Sequence, residues 1–213
     1  MKVSRFELNH FGENTYILWH ETAKKAIIVD PGMMRDDENQ LIVDFLERHE
    51  LTLQSVVLTH IHIDHVTGAK WLAEKYGVKI LASKADEFLS SILPMQAQLF
   101  GLKIRVDAIA IDQPLKDGDE LMLGDEKIIV IATPGHSPGG ICLYMPESAT
   151  VISGDTLFEG SIGRTDLPGG NFDRLIESIK TKLLTLPDDT VVAAGHGYTT
   201  TIGAEKQHNP FLG

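Results

Sequence analysis

Thr59-His60-Ile61-His62-Ile63-Asp64-His65 is the stretch on which the reading of this chain turns. Three imidazoles and one carboxylate fall between positions 60 and 65. They follow residues 55–59, a short apolar run that reads as a strand. Alternate side chains of an extended stretch share a side, so His60 and His62 point the same way. Asp64 and His65 fall where the chain turns into the next helix. Imidazole nitrogen and carboxylate oxygen are donors for zinc, and also for iron or manganese. A lone loop histidine is ordinarily a surface or capping residue; four donors this close together read as a metal site.

The same arrangement recurs further along. Residues 128–133 form an apolar run leading into Pro134-Gly135-His136. Residues 151–153 lead into Gly154-Asp155, and 191–194 into Gly195-His196-Gly197. Each run ends near a glycine followed at once by a metal-capable residue. Any one of them alone would be a turn. Strand ends that meet at one edge of a sheet can bring all of them into one site, and glycine lets the backbone turn sharply there.

The rest of the chain supplies the frame. Residues 3–8, 15–19 and 26–29 read as strands, the third broken by Asp30-Pro31-Gly32. Residues 36–49 read as a helix behind an acidic first turn, with Leu41, Ile42, Phe45 and Leu46 on its inner face. A helix over 69–76 stops at Gly77, and 78–82 is a strand. Ser83 is placed to cap a helix running to about Leu93, before Pro94. Residues 119–123 and 127–131 make a hairpin, and 141–145 and 150–152 are strands. Asn171 caps a helix whose inner face carries Phe172, Leu175, Ile176, Ile179 and Leu183, and 190–194 is the last strand. Runs of strands with a few helices between them imply two packed sheets covered by helices, not a regularly alternating doubly wound sheet. With 43% hydrophobic residues and no linker or repeat, residues 1–213 read as a single domain.

Thirty acidic residues against 19 Lys and Arg leave a net charge of −11, which disfavours nucleic acid and anionic membranes as partners. The single cysteine, Cys142, excludes an internal disulfide and reads as a core thiol. The first residues lack a signal-peptide pattern and no apolar run reaches about 18 residues, so a cytoplasmic protein is expected.

Together these motifs carry a resemblance. The chain resembles the metallo-β-lactamase-fold hydrolases, and within them the glyoxalase II (hydroxyacylglutathione hydrolase) group and its short relatives. The residues that carry it are 59–65, Pro134-Gly135-His136-Ser137, Ser153-Gly154-Asp155 and Gly195-His196-Gly197. Gly160-Ser161-Ile162-Gly163-Arg164-Thr165-Asp166 narrows it toward the glyoxalase II and persulfide dioxygenase side. The resemblance implies an α/β (α+β) fold, the four-layer αββα sandwich. It implies that His60, His62 and His136 bind one metal ion, that Asp64, His65 and His196 bind a second, and that Asp155 bridges the two. It also implies two divalent cations, Zn2+ first and Fe or Mn as alternatives, with a bridging hydroxide that Asp64 helps to orient. The small-molecule substrate would be a thioester like S-D-lactoylglutathione. Only 17 residues follow His196, so the added C-terminal helical region of longer glyoxalase II enzymes is not expected.

Arg164 is a candidate for holding a substrate carboxylate, or else for pairing with Asp166. Tyr198 is a candidate donor to substrate, or a packed aromatic. Asp30 is a candidate for orienting a ligand histidine. His10, His20, His49 and His208 lie outside the pattern. Other readings stay open at this stage: a mononuclear iron persulfide dioxygenase using His60, His136 and Asp155, a lactonase or β-lactamase-like hydrolase, and a structural or regulatory metal clip. Seven ligands without a cysteine argue against the clip, since structural zinc is held by four saturating ligands, often cysteines. Oligomeric state is not legible.

Overall fold

Strand alternation builds both sheets, and its two faces feed two different cores. The computed structural model describes residues 1–104 and 106–213. Its first sheet holds β1 (Lys2–Leu8), β2 (Glu13–His20), β3 (Lys25–Val29), β4 (Thr52–Val57), β5 (Lys79–Ser83) and β6 (Gln113–Leu115), in that spatial order. Its second sheet holds β7 (Glu120–Leu123), β8 (Glu126–Ala132), β9 (Ile141–Met145) and β10 (Thr150–Gly154). A ribbon of β11 (Leu157–Phe158) and β12 (Ser161–Ile162) follows; β13 (Val191–Ala194) and β14 (Thr200–Thr201) then extend the second sheet beyond β10. The helices are α1 (Asp36–Arg48), α2 (Ile63–Val66), α3 (Ala69–Tyr76), α4 (Glu87–Ser91), α5 (Leu93–Leu99), α6 (Phe172–Thr181) and α7 (Ile202–His208).

Tyr16, Leu18, Ile27 and Val29 face Ile128, Val130, Leu143 and Ile152 in a core between the sheets. Their alternates Ile17, Trp19 and Ile28 join Ile42, Leu46 and Leu72 in a second core under α1 and α3. On the far side Cys142, Val151 and Val192 meet Leu175, Ile179 and Ile202 in a third core under α6 and α7. Three cores between four layers make the expected αββα sandwich, because each sheet presents an apolar residue on both faces and each needs a cover. The parallel steps β3–β4, β4–β5, β5–β6 and β10–β13 require crossovers, and α1, α3, the pair α4 and α5, and α6 lie in those connections.

Several local expectations are corrected. The helix expected over 83–93 is two helices after a short 3-10 turn, and Pro94 lies in the first turn of α5 instead of ending a helix. A first-turn N–H has no intrahelical acceptor, so proline costs little there. On α1, Ile42 and Leu46 are buried while Leu41 is exposed. Phe45 is half-covered, packing edge-on against Phe6. On α6, Leu175 and Ile179 are buried and Phe172 is exposed. That helix stops at Thr181, so Leu183 enters the core from a 3-10 turn. The strand expected to reach Thr59 ends at Val57, and α7 was not anticipated. Among the described residues no helix is long and apolar enough to cross a membrane.

Candidate metal centre

The ends of β3, β4, β10 and β13 and the turn after β8 gather at one edge of the sandwich. Asp30 follows β3 with a φ of 49°, and Gly154 ends β10 with the same φ of 49°. At Gly154 the left-handed backbone turns Asp155 inward, and a Cβ there would collide with the Thr59 side chain. Gly195 is required for space: a Cβ on it would meet Asp155 Oδ1 and His65 Cε1.

His60, His62 and His136 form the first group of donors, and Asp64, His65 and His196 form another. In the first, His136 Nε2 lies 2.8 Å from His62 Nδ1 and 3.3 Å from His60 Nε2. In the second, His65 Nε2 lies 3.3 Å from His196 Nε2 and 3.6 Å from Asp64 Oδ2, and Asp64 Oδ2 lies 3.1 Å from His196 Nε2. Asp155 stands between them: Oδ1 is 3.4 Å from His65 Nε2, and Oδ2 is 3.6 Å from His136 Nε2 and 3.7 Å from His196 Nε2. All seven residues named from the sequence therefore meet in one place.

The other ring nitrogens decide what these donors can do. His136 Nδ1 faces the Arg164 carbonyl at 2.7 Å and His196 Nδ1 faces the Phe11 carbonyl at 3.3 Å. His65 Nδ1 faces Asp30 Oδ2 at 3.2 Å. Carbonyl and carboxylate oxygens only accept, so each Nδ1 carries the proton. Thr59 Oγ1 donates to Asp30 Oδ2 at 2.6 Å and so accepts from His60 Nδ1 at 3.0 Å. In neutral rings this leaves bare Nε2 lone pairs pointing at one another, a repulsive arrangement that a cation relieves. Donors bound at about 2.0–2.1 Å to a tetrahedral ion stand about 3.3 Å apart, the spacing of His136 Nε2 from His60 Nε2 and of His65 Nε2 from His196 Nε2, while His62 Nδ1 stands closer, at 2.8 Å from His136 Nε2. Asp155 Oδ1 is buried and has no hydrogen-bond partner, which suits a carboxylate oxygen that ligates a cation. The donor set therefore fits two divalent ions.

The electrostatics differ between the two trios. Burial, then the neighbouring imidazoles, hold His60 well below the usual histidine range. Burial and His136 push His62 down to about 3. In the second trio burial opposes charge on His65, but Asp155 and Asp64 outweigh it and hold the ring above its ordinary value. His196 is raised in the same way: burial opposes, while its hydrogen bond to Asp64 and the charge of Asp155 prevail. Asp155 and Asp64 are lowered despite burial, chiefly by His65.

Asp30 orients two of the donor histidines, His65 directly and His60 through Thr59. Its Oδ1 accepts the Thr59 N–H at 2.7 Å, so both its oxygens are committed to hydrogen bonds. Arg164 lines the cavity but is engaged with Asp166, with Nε–Oδ1 2.7 Å and Nη2–Oδ2 2.8 Å. Tyr198 is three-quarters exposed (75%) and is not among the cavity's lining residues. Cys142 is buried against Thr133, Ser153 and Thr156, its thiol pushed up to about 11 by burial. His20 pairs with Asp125 and His49 packs on Trp19 and Phe45, outside the site.

Two contributors were not legible in the sequence. Asp86, before α4, accepts from the backbone N–H of Ile61 (3.2 Å) and of Gly139 (2.5 Å) and from Ser137 Oγ (2.8 Å). It thereby ties the loop of His60 and His62 to the loop of His136. Asn14 on β2 reaches across to the second sheet, donating through Nδ2 to the carbonyls of Ala194 (3.0 Å) and Gly197 (3.1 Å), and so holds the His196 turn. Lys84-Ala85-Asp86-Glu87 looks like any solvated polar run; only the tertiary fold turns Asp86 inward.

A four-layer αββα sandwich with histidine and aspartate donors at the common edge of its sheets defines a metal-binding scaffold. The metallo-beta-lactamase superfamily profile matches residues 8–196, and the chain belongs to that superfamily. It is 41% identical to the hydroxyacylglutathione hydrolase GloC of Haemophilus influenzae, covering 100% of this chain and 98% of that protein. It is 35% identical to the probable metallo-hydrolase YqgX of Bacillus subtilis, with the same coverage of 100% and 98%. Among solved structures, the BLEG-1 B3 metallo-beta-lactamase is 36% identical with a TM-score of 0.89, over 99% of each chain. TTHA1623, solved in a di-iron-bound form, is 37% identical with a TM-score of 0.86, over 99% of this chain and 100% of that one. ETHE1 from Myxococcus xanthus is 28% identical with a TM-score of 0.82, over 99% and 84%.

Proposed function

We propose that this protein is a binuclear metallohydrolase that cleaves thioesters of the S-D-lactoylglutathione type. The observation that carries the reading is the meeting of two donor trios at Asp155 on the wall of one open cavity of about 520 Å³. The full-length likeness to a hydroxyacylglutathione hydrolase supports the thioester as substrate class. The second trio, assembled beside the first, favours two ions over the single iron of a dioxygenase. Zinc suits these donors, and iron or manganese suits them as well.

His60, His62 and His136 would hold one ion, and Asp64, His65 and His196 the other, with Asp155 shared. Bound there, the ions supply a Lewis acid and acidify a water toward neutral pH. The protein's own part is orientation. Asp64 remains a carboxylate because His65 and His196 outweigh its burial, so its oxygens can accept a hydrogen bond from the attacking water. Asp30, Thr59 and the Arg164 and Phe11 carbonyls lock the ligand rings before substrate arrives, so no reorganisation falls in the reacting step. Arg164, its fork held by Asp166, is proposed to fix the loop whose carbonyl orients His136. Tyr198, exposed and outside the cavity lining, is proposed only as a donor to the part of a substrate that extends past Gly197.

The test is thioester turnover with the metal content measured alongside. Chelation is expected to abolish hydrolysis and re-addition of metal to restore it. Full activity in metal-free protein refutes the reading. Oxygen uptake with a glutathione persulfide, with one iron bound and no thioester cleavage, would replace it by the dioxygenase.

A further inference from the structure

The cavity that exposes the donors is walled mainly by carbon. One side is α5 and its flanks: Ile92, Met95, Leu99 and Phe100, with Phe11 closing the end. Met95 is 57% exposed and Leu99 75%, large apolar side chains left in water beside a reaction centre. The other face of the same helix is anchored. Leu93 and Ala97 are buried, and Gln96 Oε1 accepts the Ile63 N–H at 3.1 Å, where the metal-binding loop enters α2. Phe100 meets Phe11 edge-on, with ring centroids 5.5 Å apart. The wall is thus held in register with His62 and Asp64, not draped over them.

Charge points the same way. Among the described lining residues the one arginine or lysine is Arg164, and Asp166 already takes its fork. A substrate arm bearing several carboxylates or phosphates finds no unpaired cation there, and the chain as a whole is acidic. An apolar arm finds matched surface continuous with the donors. Exposed apolar area of this kind marks a binding surface.

We propose that the preferred thioester carries an extended apolar arm, which lies along the α5 wall while its carbonyl sits at the donors. The proposal rests on the thioester reading for its chemistry and departs from it in the arm: glutathione, with two carboxylates, is the poorer match to this wall, and an apolar arm the better one. Full burial of a methylene is worth about 0.8 kcal/mol, or about fourfold in kcat/KM. The wall leaves one side in water, so roughly threefold per methylene is expected over the first few carbons.

The experiment uses metal-loaded protein and two probe series. In one, acetyl, butanoyl, hexanoyl and octanoyl groups are carried on N-acetylcysteamine; in the other, the acetyl group is held and the alkyl thiol is lengthened. S-D-lactoylglutathione is run beside them. A rise of at least about thirtyfold from acetyl to hexanoyl, or along the thiol series, supports the proposal, and the series that rises says which arm lies on the wall. Leu99→Ser and Met95→Ser, both at exposed positions, are expected to flatten that slope. Turnover of thioesters with flat profiles in both series overturns the proposal while leaving the thioester reading intact. Failure to cleave any thioester, S-D-lactoylglutathione included, overturns that reading itself. Flat profiles together with a dimer that Leu99→Ser dissociates would assign the wall to a second copy of the chain, and would also overturn the proposal.

Discussion

Removing Asp86 tests how the two metal-binding loops are held together. Asp86→Ala takes the acceptor from two backbone N–H groups, of Ile61 and Gly139, and from the Ser137 hydroxyl. The hydroxyl can rotate to another acceptor; the two amides cannot. Each buried donor left unpaired costs about 1–3 kcal/mol, so Asp86→Ala is expected to cost about 2–6 kcal/mol. That is a large share of a fold stability of about 5–15 kcal/mol. Asp86→Asn keeps one acceptor oxygen and turns an NH2 toward one of the two amides, so about 1–3 kcal/mol is expected. Burial lifts the Asp86 carboxyl above its ordinary value even though three donors oppose this. With the folded value above the unfolded one, the stability contributed by this group is complete below about pH 3.9 and declines as the pH rises through the raised value. Asparagine does not titrate, so the gap between wild type and Asp86→Asn should narrow from pH 4 to pH 7. Urea unfolding of all three proteins at both pH values measures this. Metal affinity at the first site should also fall, by about 10–100-fold, since both of its loops lean on Asp86. An Asp86→Ala protein as stable as wild type, or an asparagine variant that costs more than the alanine one, would refute the reasoning.

Three further outcomes follow from the site. Metal content after dialysis at falling pH should show the Asp64–His65–His196 site emptying first, because protons compete for its raised imidazoles, while His60 and His62 are already neutral; simultaneous loss, or the reverse order, contradicts the assignment. Gly195→Ala should fold, judged by circular dichroism, yet hold about one ion per chain, since its Cβ enters the space of Asp155 and His65; two retained ions would show that the turn yields. Cys142, buried and with its thiol raised to about 11, should resist iodoacetamide at pH 8 until the chain is denatured; rapid labelling of folded protein would place it elsewhere.

Much of this architecture is legible because it rests on local pattern. Residues 15–19, 26–29 and 141–145 read as strands because they are short and rich in β-branched, aromatic and other apolar residues, and the two packed sheets follow; both faces are apolar, so only the structure assigns each side chain to its core. His60, His62, Asp64, His65, His136, Asp155 and His196 are legible only as a set: any one of them at the end of an apolar run would read as an ordinary turn residue, but four donors within 60–65 and three more at similar strand ends point to one site. Pro94 misleads: the same missing N–H that stops a helix also suits a helix start, and only the packing of Leu93 and Ala97 decides between them. Phe172 misleads in another way, since a residue in the first turn of α6 can belong to the apolar face by period and still overhang its edge. The roles of Asp86 and Asn14 are not written in any local pattern. Their roles are long-range hydrogen bonds, spanning 53 residues from Asp86 to Gly139 and 180 from Asn14 to Ala194, and no local period encodes such a pairing.

The central claim is that one aspartate joins two metal sites. Anomalous difference maps from metal-loaded crystals test it most directly. Two peaks are predicted, one among His60 Nε2, His62 Nδ1 and His136 Nε2, the other among Asp64, His65 Nε2 and His196 Nε2, with Asp155 touching both. A single peak at saturating metal, or a second peak out of reach of Asp155, would contradict the account.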